Sequence, residues 1–307
     1  MRFNPKADIS DGEASGSSGG GGGGGLGGLG GGGGLGGLPI PGGFGIKGTI
    51  VIVILYVILQ MCTGGGLPGP SLGAGSDQSS QATDNGDYAS CKTGDDANKS
   101  RVCERKGIMK SLRVFWKGQL GDQFQPSDLR TFSGQTQTGC GAASAQMGPF
   151  YCPTDGHIYE DPSFYSSMLE QIGGADKPFV EPYVLAHEFG HHIQDITGEM
   201  KNVRTQQGAN SDSVKLELEA DCYAGVWAQG ALGTDDGNGQ KIFESITEQD
   251  IADAIDAAKA VGDDSIQEKT QGSVNPDSWT HGSSEQRMTW FKTGYAGDVN
   301  SCRAIWG

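Results

Sequence analysis

The sequence predicts an α+β domain, and three observations carry that prediction. The run from Val180 to Ile196 has apolar residues at helical spacing and stops at Thr197-Gly198, which suits a helix C-terminus. Two short β-prone runs, Phe150 to Cys152 and His157 to Tyr159, flank a Pro-Thr-Asp-Gly turn and read as a hairpin or an edge-strand unit. Capped helices are expected after them. Ser211 or Asp212 opens one that reaches about Gln229, Thr247 opens another over ITEQDIADAIDAAKAVG, and the last begins at Ser283 or Ser284.

The remaining segments follow in chain order. Of the 54 glycines, 28 lie in the first 80 residues, mostly between Gly16 and Gly45. So few side chains cannot offset the entropy of ordering, and residues 1–46 are expected to be a disordered leader. The next stretch, 47–63, includes GTIVIVILYVILQMC, uncharged and rich in Ile, Val and Leu. It reads as a transmembrane helix near the short end of the ~17 to 25 residues that span a bilayer. An uncleaved anchor is preferred over a cleaved secretory signal because the leader is too long for an ordinary signal, even though Cys62-Thr63-Gly64 resembles a cleavage site. Lys47 adjoins the segment, and no basic residue follows until Lys92. That asymmetry favours a single-pass protein of the cell membrane, with a cytoplasmic N-terminus and an extracytoplasmic domain.

Residues 64–88 are poor in apolar side chains and read as a tether, which leaves 89–307 as the folded domain. Within it, Ser111 to Leu120 suits a helix or a strand, and Pro162 to Ile172 is expected to be helical. The acidic and basic residues before the membrane segment cancel, so the formal charge of -15 belongs to the rest of the chain. That balance argues against a nucleic-acid partner and against electrostatic adhesion to anionic lipid. Beyond Cys62, six cysteines remain, none spaced as CxxC, so a zinc ribbon or thioredoxin-type site is not expected. Their even number agrees with an oxidising compartment, and proximity suggests Cys91 with Cys103 and Cys140 with Cys152, leaving Cys222 for Cys302.

The chemistry concentrates in His187-Glu188-Phe189-Gly190-His191, an HExxH pattern inside the first helix. Histidines at i and i+4 project from one face, so both imidazoles can meet one ion with Glu188 beside it as general base. Downstream, LELEADCYAG puts Glu217 and Asp221 one turn apart on the second helix. A hydrolytic zinc centre uses three protein ligands and one open position. Glu217 is expected to be the third ligand, and Asp221 to accept the second ring N–H of His187. Glu219 competes for the ligand role but lies about 200° around the helix from Glu217. His192 is rotated about 100° from His191 and reads as a supporting or surface residue. His157 reads as an ordinary strand histidine that could also line the cleft.

HEFGHHIQ, ELEADCYAGVW, GPFYCPTDGHIY and THGSSEQR together resemble the YpfJ-like neutral zinc metallopeptidase family, over roughly Cys91 to Trp306. The Glu-x-x-x-Asp arrangement also resembles the gluzincin group. These resemblances imply a zincin-like fold, Zn²⁺ as cofactor and a peptide or protein substrate aligned along an edge strand, for which Phe150 to Cys152 is the candidate. They also imply that His281 and Arg287 stabilise the oxyanion. Gly282 stands where the membrane relatives have proline, and His281 alternatively caps the last helix. Two rival readings stay open: a membrane-tethered binding protein with a structural or vestigial zinc site closed by Cys222, and a zinc amidase acting on cell-wall peptides.

Overall fold

A computed structural model describes residues 1–17, 88–166 and 177–307 of the chain. In order, the elements are β1 (Arg2–Phe3), β2 (Ala14–Ser17), α1 (Gly94–Ala97), α2 (Arg101–Leu120), β3 (Leu129–Phe132), β4 (Gln135–Thr138), β5 (Gly141–Ser144), β6 (Phe150–Cys152) and β7 (His157–Glu160). There follow α3 (Val180–Thr197), α4 (Asp212–Gly230), β8 (Phe243–Ser245), α5 (Glu248–Ala260), α6 (Asp263–Gln271), α7 (Ser284–Ala296) and α8 (Val299–Arg303). The α+β class holds. Ser111 to Leu120 is the second half of helix α2, and the Pro162 to Ile172 stretch lies mostly outside the described residues.

The main sheet has the order β2-β3-β7-β6, with β2, β3 and β7 parallel and β6 antiparallel to β7. β6 is therefore an edge strand, as expected, and the helices cover the sheet. Aromatic rings fill the space between α2 and α4: Trp116 meets Tyr223 edge-on at 5.2 Å, and Trp227 stacks near Phe179 at 6.2 Å. All four are fully buried. Such rings each remove a large apolar area from water and dominate the stabilisation of a core. Helices α4 and α7 touch backbone to backbone, and a Cβ at Gly294 would lie 1.9 Å from the Cys222 carbonyl oxygen. Only glycine permits that approach.

The expected disorder of residues 1–46 is corrected for residues 1–17. β1 pairs with β8, and β2 continues the sheet beside β3. Phe3, Ala7 and Ile9 are buried, with the Phe3 ring 4.7 Å from that of Phe243. Between the strands, Asn4 N–H donates to Ile242 O, Ile9 N–H donates to Lys92 O, and Lys110 Nζ binds both oxygens of Asp11 at 2.5 and 2.6 Å. The polar, glycine-bearing arm is ordered by backbone hydrogen bonds and a few buried side chains that the rest of the chain supplies, so local composition does not decide its state. The folded unit accordingly includes 1–17 and Tyr88 as well as the described residues of 89–307.

Strands of one sheet share one side of any membrane. The expected single crossing at 47–63 would put β2 and β3 on opposite sides, whereas the two strands are paired here. Among the described residues no helix is long and apolar enough to cross a membrane, and the segment 47–63, expected to be transmembrane, lies outside them together with the tether. Among the described residues the three disulfides are the expected ones, Cys91–Cys103 and Cys140–Cys152 from proximity and Cys222–Cys302 as the pair left over.

Candidate metal centre

Helices α3 and α4 lie side by side and carry the chemistry between them. The approach is close at Gly190, where a Cβ would sit 3.0 Å from the Ala220 carbonyl oxygen. This glycine, inside the HExxH run, lets the histidine face of α3 reach the carboxylates of α4. His187, His191 and Glu217 each offer one ligand atom, and these atoms lie within 4.8 Å of one another. His187 Nε2 is 3.2 Å from Glu217 Oε2, and His191 Nε2 is 3.5 Å from Glu217 Oε1. Two imidazole nitrogens and one carboxylate oxygen form a donor set that zinc uses in hydrolytic centres. The residues fit the ion.

Each imidazole is held from behind. His187 Nδ1 meets Asp221 Oδ1 at 2.9 Å, which is the partnership expected from sequence. Asp221 is fully buried and also accepts from Tyr183 Oη at 2.5 Å, from Arg287 Nε at 2.7 Å and from Arg287 Nη2 at 2.9 Å. Burial raises the Asp221 carboxyl, but Arg287 and His187 outweigh it and hold the group below the ordinary carboxylate range. His191 Nδ1 meets Gln194 Oε1 at 2.8 Å. Burial likewise opposes the charge on Glu217, yet His191, His281 and His187 keep its carboxyl well below the usual value. In His187 burial disfavours the cation, while Asp221 and Glu217 favour it and push the group up to about 10.

Glu188 is buried on the same helix, and its Oε2 accepts the backbone N–H of Tyr151 at 2.9 Å. Burial raises its carboxyl above the ordinary range against the pull of His187 and His191. Tyr151 belongs to edge strand β6, and its hydroxyl donates to Asp195 at 2.9 Å, further along α3. Strand and helix are thereby fastened at two points. Between them opens a cavity of about 360 Å³ whose walls include Phe150, Phe164, Val184, Met200, Leu216 and Val261. His187, Glu188, His191, Glu217, His281 and Arg287 line it as well.

The two residues of the THGSSEQR block are placed differently. His281 borders the cavity with Nδ1 turned 2.9 Å from Thr280 Oγ1 and 3.4 Å from Asp263 Oδ1. Asp263 Oδ2 accepts the backbone N–H groups of Thr280, His281 and Gly282 at 2.8, 2.7 and 3.0 Å, so one carboxylate shapes the loop. Arg287 spends its guanidinium on Asp221, Tyr183 Oη and the Val261 carbonyl. Arg287, expected at the oxyanion, thus directs Nε and Nη2 to the carboxylate behind His187, while its side chain also borders the cavity.

Several other residues fall outside the donor set. Glu219, the competing ligand, faces Gln194 and Tyr223. Cys222 is bonded to Cys302 and so cannot close the site. His192 is buried against Phe124, Phe189 and Tyr151 and bonds the Gln125 carbonyl at 2.7 Å. His157 lies on β7, with Arg130 2.8 Å from its Nε2. The sequence reading missed Gln194, Tyr183, Asp263 and the Tyr151 N–H as supports. Only Gln194 had a local signal, standing one turn after His191 in HEFGHHIQ.

Comparison with known proteins gives relatives and a family. An uncharacterized protein of Mycobacterium tuberculosis, Rv2575, is 45% identical over 219 residues, covering 70% of this chain and 74% of its own. The uncharacterized Escherichia coli K12 protein YpfJ is 44% identical over 199 residues, 61% of this chain and 64% of its own. No solved structure matches. The family described as "Putative neutral zinc metallopeptidase" matches residues 4–305, a span that takes in most of the N-terminal arm as well as both site helices, and the chain belongs to that family.

Proposed function

We propose that the chain is a zinc-dependent endopeptidase with a zincin-like active site, in which His187, His191 and Glu217 hold the ion and Glu188 is the general base. The observation that carries this reading is the meeting of three ligand atoms within 4.8 Å, with Glu188 one residue along the same helix and an apolar cavity in front. Bound there, zinc supplies Lewis acidity toward a peptide carbonyl and eases deprotonation of water.

The chain's own groups do the rest. Tyr151 N–H holds Glu188 Oε2, which leaves Oε1 to take a proton from the attacking water and pass it to the departing amide nitrogen. Nδ1 of His281 faces Asp263 and Thr280 and carries a proton there, so it is the imidazolium, which Glu217 and Asp263 favour against burial, that offers Nε2–H to the developing oxyanion. Arg287 acts through Asp221, neutralising and fixing the carboxylate that orients His187. Edge strand β6 offers main-chain groups to an extended peptide, whose side chains enter the apolar cavity. The structural-site alternative is weakened because Cys222, the residue that would have closed the centre, is in a disulfide.

Three disulfides support an oxidising, extracytoplasmic location for the domain, whereas membrane attachment through 47–63 rests on the apolar run alone. Metal analysis of the purified protein combined with a casein-type assay tests the proposal. Glu188→Gln should keep zinc and lose about 10²- to 10⁴-fold in turnover. Full activity in that variant, or a wild type that takes up no zinc, would refute it. A parallel arm with murein fragments distinguishes a peptidase from an amidase.

A further inference from the structure

The two metal-facing histidines are backed by different partners. His187 has a carboxylate, Asp221. His191 has a neutral amide, Gln194, which is fully buried. The orientation of that amide follows from its other contacts. Gln194 Nε2 is 2.7 Å from the Leu216 carbonyl oxygen and 3.0 Å from Glu219 Oε2. A backbone carbonyl can only accept, so the end of the amide facing it must be the NH₂. The carbonyl end, Oε1, then faces His191 Nδ1 at 2.8 Å and requires a proton on that nitrogen. With Nδ1 so engaged, His191 turns Nε2 toward Glu217.

We infer that Gln194 is a positioning residue for the metal centre, fixing the tautomer and ring plane of His191 through a chain that starts at the Leu216 carbonyl and Glu219. One stretch of α4 then does three things. Glu217 supplies a ligand, Asp221 orients His187, and Leu216 with Glu219 orients His191 by way of Gln194. Glu219 thus serves the centre from behind one histidine rather than as a ligand. The inference rests on the zinc reading above and adds to it a residue that touches neither ion nor substrate.

Two measurements test it. Zinc affinity is read by competition with a chromophoric chelator, on wild type, Gln194→Met and Gln194→Glu, with near-ultraviolet circular dichroism confirming the fold. Loss of an orienting partner typically weakens metal binding about 10- to 100-fold, and Gln194→Met should fall in that range. Gln194→Glu retains an acceptor for the Nδ1–H and should bind more tightly than Gln194→Met. A merely structural glutamine would lower the melting temperature and leave zinc affinity unchanged, which would overturn the inference. The second measurement needs no variant: ¹⁵N-edited imidazole spectra of the wild type should show His191 Nδ1 protonated, and a bare Nδ1 would overturn the inference equally. Were the wild type to take up no zinc, the peptidase reading would fall, while the His191 spectrum would still decide this point.

Discussion

The helical wall of the cleft and its strand wall differ in how they hold their groups. On the helical side both ligand histidines have a fixed partner behind them, Asp221 behind His187 and Gln194 behind His191, and Asp221 is itself held by Arg287 and Tyr183. The supports are buried and bond to one another, so displacing one leaves another unpaired. The strand side gives the centre a single backbone N–H, from Tyr151, and otherwise contributes apolar surface such as Phe150. A reacting centre needs its groups fixed to within a fraction of an ångström, whereas a peptide-binding edge needs only an extended backbone and room for side chains.

The largest effect that would break this contrast belongs to the helical side. Arg287→Met leaves Asp221 buried without its cation and should cost about 3 to 5 kcal/mol of stability by chemical denaturation. A loss under about 1 kcal/mol would mean that the supports are not mutually dependent and that exposed-pair energetics apply instead. On the strand side, Tyr151→Phe removes only the hydroxyl that fastens β6 to Asp195 while keeping the N–H to Glu188. About 1 to 2 kcal/mol of stability should go, with zinc affinity unchanged. A drop in zinc affinity as large as that expected for Gln194→Met would erase the distinction between the walls.

The smallest effect is set away from both. Glu104 on α2 is driven by burial up to about 7, against the pull of Arg101 and with a further push from Glu181. Its folded pKa lies above the ordinary 4.5, so the folded state binds more protons between those values. The stability it contributes is complete below pH 4.5 and is lost as pH rises through about 7. Glu104→Gln should flatten that part of the stability-pH curve in thermal melts at several pH values. An unchanged slope would place the titration elsewhere.

The helical wall was the readable part of the sequence. His187, Glu188 and His191 announce themselves because i and i+4 on a helix is a local rule, and Glu217 with Asp221 repeats it one helix later. Both short-range disulfides follow from nearness in sequence, and so does the hairpin of β6 and β7. What escaped depends on distant partners. Arg287 has the right charge and chain position for an oxyanion donor, and only the placement of Asp221 relative to α7 shows where its donors go. Asp263 carries no local mark of the loop it organises at Thr280 to Gly282. β1 has two residues, too few for any periodicity, and it is recognisable only once β8 lies against it.

That arm has a practical consequence for handling the protein. A chain begun at Ala89, where composition invites a cut, would strip β2 from β3 and bare a row of backbone N–H and C=O groups along Leu129–Phe132. It would also empty the socket in which Phe3 lies against Phe243. Open strand edges recruit other chains, so such a trimmed preparation would tend toward clumping in the flask, although it kept every residue of the metal centre.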